Sequence, residues 1–268
     1  MGRLFEALLV AVAFLPGLVT AQSGWEVLNS GTSVQLNAVF LLNADTGFVA
    51  GDGGTVLVTE DGGQSWQPLN TGTGTNLLDL YFFDRLHGLV IGGQGLVLRT
   101  EDGGQTWTQA NTGVLDNLLA VSFAPGGNGI IGGLSQTLLY SSDSGRTWQT
   151  SQTGFFGGGF WGAQMLSDQD AVVGGENSIF QPMLGLSNDG GITWNFLPFY
   201  FNNSEGRILD VFFLSPQIGF AVGRLFNFTG AIARTSDGGA NWTTLQFSQP
   251  VQAICFPDSL HGFAVGDG

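Results

Sequence analysis

Apolar runs of four to seven residues recur along this chain, each closed by glycine and a short polar turn. Runs of that length, alternating or continuous and bounded by turn residues, are strands; no segment after residue 21 carries a helical period. First strands are predicted at 36–42, 77–83, 118–123, 160–165, 208–213 and 251–256. Each is followed by a second run, as at 47–51 and 219–223, and a third, as at 55–59. A fourth begins at a tryptophan, as at 66–69.

Between the third and fourth strands the chain repeats one phrase of the form Ser/Thr-x-Asp-x-Gly-x-Thr-Trp, the Asp-box or BNR pattern. It occupies 59–66, 100–107, 141–148, 187–194 and 235–242, with some drift at the outer places. Its tryptophans, Trp66, Trp107, Trp148, Trp194 and Trp242, lie 41, 41, 46 and 48 residues apart. A period of that size in a strand-and-glycine sequence predicts an all-β propeller of four-stranded antiparallel blades. Six blades are visible and the last is incomplete. The chemistry of the phrase is architectural. Asp61, Asp102, Asp143, Asp189 and Asp237 are expected to bind backbone N–H groups of their own turns, with glycine at the φ > 0 places. The tryptophans are expected to anchor the layer between blades. Neither catalysis nor metal binding is assigned to these carboxylates.

The ends are informative. Residues 25–28 match 66–69, so a lone fourth strand opens the repeats and is expected to complete the last blade of a closed ring. The sixth unit stops at 266–268 before its third strand, so the chain is expected to be C-terminally truncated, with seven blades in the intact protein. Residues 1–21 read as a signal peptide, with Arg3, an apolar run from Leu8 to Leu15, and Ala21 before the cut. The domain is then 22–268, exported and without a membrane span. Asn202, Asn227 and Asn241 stand in glycosylation sequons.

The formal charge of −14, with seven arginines and no lysine, excludes nucleic acid as a partner class. The single cysteine, Cys255, sits in a strand pattern and is expected to be a buried thiol. His87 and His261 precede glycine at equivalent places and read as turn residues. No cofactor is implied.

Two sets of residues carry candidate function. On longer loops of blades four and five, Phe199, Tyr200, Phe226 and Phe228 accompany Arg207 and Arg224, an anchor composition for a protein interface. The competing reading folds them over their own blades. At the third place of each first strand, facing the channel, stand Ala38, Asp79, Ala120, Gly162, Asp210 and Ala253. Asp79 and Asp210 interrupt the small residues. Carboxylates ~6.5–9.5 Å apart across a sugar would suit an inverting glycosidase; solvated channel residues, or acceptors for neighbouring N–H groups, are the other reading.

In residues 24–268, and most closely at 97–107 and 232–242, the repeat resembles the photosystem II stability/assembly factor family. That resemblance implies a seven-bladed Asp-box propeller, monomeric and non-enzymatic, which holds newly made reaction-centre subunits in the thylakoid lumen or its cyanobacterial equivalent. Other Asp-box propellers supply the alternatives: a secreted sialidase-like or xyloglucanase-like hydrolase, or an extracellular binding propeller. The family's arginine-rich partner surface has a reduced counterpart here, since only Arg99 and Arg234 recur at one repeat position.

Overall fold

The computed structural model describes residues 28–153, 157–201, 204–258 and 261–267. The leader at 1–21, most of the strand expected at 25–28, and Asn202 lie outside them.

Blade one shows the plan. β1 (Leu36–Leu41), β2 (Gly47–Gly51), β3 (Thr55–Thr59) and β4 (Gln67–Asn70) pair antiparallel in chain order. Blades two to five repeat it, opening with β5 (Leu77–Phe82), β9 (Leu118–Phe123), β13 (Gly159–Met165) and β17 (Gly206–Phe213). The sixth unit contributes β21 (Val251–Cys255) and β22 (Phe263–Gly266). Among the described residues the only helical segments are two three-residue turns, 52–54 and 93–95, which join second to third strands.

The core lies between blades, because each sheet is apolar on both faces. Phe48, Ala50, Val56 and Val58 of blade one pack against Leu77, Leu80, Phe82 and Val90 of blade two. The Phe48 and Phe82 rings stack at 3.5 Å. Matching clusters join each later pair of neighbours. The repeat alignment extends to the first described residue. Leu28 lies against Gly63 of blade one, as Leu69 lies against Gly104 of blade two.

Glycine is required where first strands converge. A Cβ on Gly162 would stand 2.8 Å from the Asp210 Cα in the next blade. Every first strand also shifts register just before its third place, a bulge repeated in all six units. The extra residue turns the third-place side chain towards the channel and the neighbouring strand.

Cys255, expected to be buried, is exposed among the described residues: Ile254 faces blade five, and the alternation of β21 turns the thiol to the other face, the one on which Tyr81 of blade two packs against blade three.

Candidate partner-binding face and channel

The two ends of the propeller differ in chemistry. On one, the Asp-box turns meet the loops joining first and second strands, as in the Gly62 N–H to Asp45 carbonyl bond of 2.9 Å. Each box is self-contained. The Thr100 hydroxyl donates to Asp102 Oδ1 at 2.8 Å and accepts the Gly104 N–H at 2.8 Å. The Thr106 N–H and hydroxyl donate to the two Asp102 oxygens at 2.9 and 2.6 Å. Those bonds, led by the Thr106 hydroxyl, hold the Asp102 carboxyl down at about 2. Asp61, Asp143, Asp189 and Asp237 make equivalent bonds and are shifted the same way. The indoles of Trp107, Trp194 and Trp242 donate to their own box glycines at 3.0–3.1 Å. In the last box Asn241 takes the hydroxyl residue's place, and its amide donates to Asp237 at 2.8 Å. That sequon nitrogen is therefore engaged in the turn. His87 and His261 cap turns through Asp84 and Asp258.

The channel carboxylates are inter-blade clips. Asp79 Oδ1 accepts the Leu80 N–H and Oδ2 accepts the Val121 N–H of blade three, both at 2.8 Å. Asp210 repeats this with Val211 at 2.8 Å and Ile254 of the sixth unit at 3.0 Å. First strands have one unpaired edge, so their outward N–H groups need acceptors. Burial pushes both carboxyls up to about 7, against the lowering effect of the N–H donors; the Asp210 charge adds to the rise at Asp79.

The remaining junctions use residues that sequence reasoning passed over. Asn37 donates to the Leu77 carbonyl at 2.8 Å, and Ser122 accepts the Met165 N–H at 2.9 Å. Gln164 accepts the Phe213 N–H at 2.6 Å and donates to its carbonyl at 3.1 Å. The available signal was a polar residue inside each apolar first strand, but its place in the repeat varies.

On the opposite end, the loops of blades four and five gather an aromatic and basic surface. Tyr200 (45% exposed), Phe226 (49%) and Phe228 (65%) are open. Ile179 and Phe180, not singled out from the sequence, join them at 65% and 52%. Phe180 meets Phe226 edge-on at 6.0 Å, which joins the two loops. Phe180 and Phe228 hold φ of 62° and 65° at the ends of their tight turns, a conformation that glycine adopts freely and phenylalanine rarely does. Arg207 and Arg224 are cross-strand partners at the base of this surface. The Arg207 guanidinium lies 4.7 Å from the Trp161 ring and 3.1 Å from Glu176; that of Arg224 lies 4.6 Å from the Phe228 ring. Burial pushes the Glu176 carboxyl up, with Arg207 opposing.

Phe199 corrects the sequence reading. It is 2% exposed, packed against Phe201 and Trp242 in the core between blades four and five, and forms no part of the surface. Along this loop the alternation turns Phe199 and Phe201 inward and Tyr200 outward.

Comparison with known proteins places this geometry. Residues 64–155, about a third of the chain, match the family model of the photosynthesis system II assembly factor YCF48. The solved structure of YCF48 bound to a D1 peptide is 17% identical, with a TM-score of 0.60 over 98% of this chain and 96% of that one. The chain resembles the photosystem II assembly factors in repeat and in fold. YCF48 from Cyanidioschyzon merolae matches at 17% identity and a TM-score of 0.50, over 91% and 96% of the two chains. The GH74 xyloglucanase from Xanthomonas campestris matches at 17% identity and a TM-score of 0.67; this chain spans 44% of its length. No curated protein sequence gives a significant match. Among the described residues no helix is long and apolar enough to cross a membrane.

Proposed function

We propose that this propeller is a non-catalytic docking protein that holds a segment of a photosystem II reaction-centre subunit, acting in the compartment to which its leader-like first 21 residues direct it. The reading rests on the repeat: residues 64–155 match the YCF48 family model, and the fold resembles a YCF48 solved with a D1 peptide. The channel chemistry agrees with it. The oxygens of Asp79 and Asp210 bind backbone N–H groups of their own and the next blade, so they serve to join blades and are poorly placed to move protons on a sugar.

The surface that carries docking in this reading is Ile179, Phe180, Tyr200, Phe226 and Phe228 above Arg207 and Arg224. Rigid aromatic rings and guanidinium groups are the residue types that dominate protein interfaces. Titrating the purified protein with peptides that tile D1 tests the proposal. Saturable binding that weakens at least about tenfold in the Phe226→Ala/Phe228→Ala protein is expected. Release of sugar from xyloglucan or aryl glycosides, abolished by Asp79→Asn or Asp210→Asn, would overturn it in favour of a hydrolase.

A further inference from the structure

A cleft of about 440 Å³ opens between blades four and five on the Asp-box side, at the opposite end from the aromatic surface. Its meaning comes from the same place between blades one and two. There Arg85, on the loop joining the first two strands of blade two, reaches back across the junction. Its Nε donates to Glu60 at 2.7 Å, its Nη1 donates to the Gly103 carbonyl at 3.3 Å, and its guanidinium lies 5.6 Å from the Phe48 ring. Between blades two and three a second arginine does similar work, with Arg146 Nη2 3.2 Å from Glu101.

The repeat makes Pro216 the counterpart of Arg85. Both carbonyls approach the box glycine of their own blade, Gly103 and Gly238, at about the same distance. Val172 replaces Phe48, and Asn188 replaces Glu60. Loss of one guanidinium and one ring leaves the space that forms the cleft. Pro216, Val172, Asn188 and Gly238 all line it. A carboxylate is still supplied, from another place: Asp170 stands at the wall, its Oδ2 accepting the Ser167 hydroxyl at 2.9 Å.

We propose that this cleft receives an arginine side chain of a protein partner, seated where the molecule seats its own arginine between blades one and two. The guanidinium meets Asp170 and the Gly238 carbonyl, and its stem lies along Trp194 and Leu186. The formal charge of −14 draws a cationic segment towards this side at long range.

The test is NMR titration of the full chain, following the Trp194 indole N–H. The probes are Nα-acetyl-arginine amide, a Gly-Ser peptide with one internal arginine, and the same peptide with neutral citrulline. Saturable movement with both arginine probes is expected, with citrulline at least about fivefold weaker. Asp170→Asn should weaken the arginine peptide by a similar factor. Pro216→Arg should abolish binding, because the introduced side chain fills the cleft; Arg85 shows that the turn accepts arginine. Equal affinity for citrulline, or undiminished binding by Pro216→Arg, would overturn the proposal. Binding of the free amino-acid derivative without the peptide would overturn its assignment to a protein partner. Phe226→Ala/Phe228→Ala should leave this titration unchanged, so it stands or falls separately from docking on the aromatic face.

Discussion

Asp79 of blade two holds the Val121 N–H of blade three at 2.8 Å, and it does so with a carboxyl that burial raises to about 7. Burial therefore opposes the ionisation that the clip's N–H donors favour. Asp210 carries the same conflict three blades further round the channel, where it holds Ile254.

This sets a pH dependence of stability. An unfolded aspartate titrates near 3.8, whereas these two titrate near 7 in the fold, so the folded state binds more protons in between. Stability is full below about pH 4 as far as these groups are concerned, and it falls as pH rises through about 7. Each group contributes a slope on the order of 1 kcal/mol per pH unit. The melting temperature should rise on acidification from pH 7.5 to 5. Asp79→Ala/Asp210→Ala should flatten that rise, since Ala38, Ala120 and Ala253 show that alanine fits the place.

The box aspartates have the opposite sign. The turn bonds hold Asp143 below its ordinary value, although burial acts against them, so its contribution is present above pH 4 and lost as pH falls through its folded value. Asp143→Ala should cost about 1–2 kcal/mol in urea unfolding at pH 7, from several lost hydrogen bonds. That cost should shrink as the pH falls below the ordinary aspartate range, a comparison chemical denaturation can read directly.

Phe199 and Phe228 separate packing from docking. Phe199→Ala should destabilise by about 3–5 kcal/mol through a core cavity. Phe228→Ala should leave the melting temperature within a few degrees of the parent, because Phe228 is 65% exposed and alanine keeps the same backbone at φ of 65°. Its effect should appear in partner binding alone.

Gly162→Val tests the narrowness of the ring. The added Cβ would meet the Asp210 backbone, which has no freedom to withdraw while Asp210 clips Ile254. A loss of about 1–3 kcal/mol is expected, read as a lower urea midpoint.

Much of this was legible in the sequence because a propeller writes its architecture as a period. The five box aspartates and tryptophans, the first strands and the channel places all followed from alignment of the repeat with itself. Asp79 and Asp210 were visible because they broke a column of small residues. The clips at Asn37, Ser122 and Gln164 were not, since Asn37 acts from the second place of its strand and Ser122 and Gln164 from the fifth, neither of them the column that Asp79 and Asp210 interrupt. Phe199 was misjudged for a related reason. A run of aromatics in a loop does not reveal which rings turn inward, and the core between blades four and five claimed Phe199 and Phe201 while releasing Tyr200. The vacated arginine place at Pro216 is invisible without coordinates, because a proline in a turn calls for no explanation.

The clips tie each blade to the next one only, between residues 40 to 49 apart in the chain. Loss of order at one blade thus withdraws support from two neighbours and no others, as in a linear array with nearest-neighbour coupling. Such an array melts by fraying inwards from whichever blade is least secured. Hydrogen exchange should accordingly read as a gradient around the ring, fastest in the least secured blade.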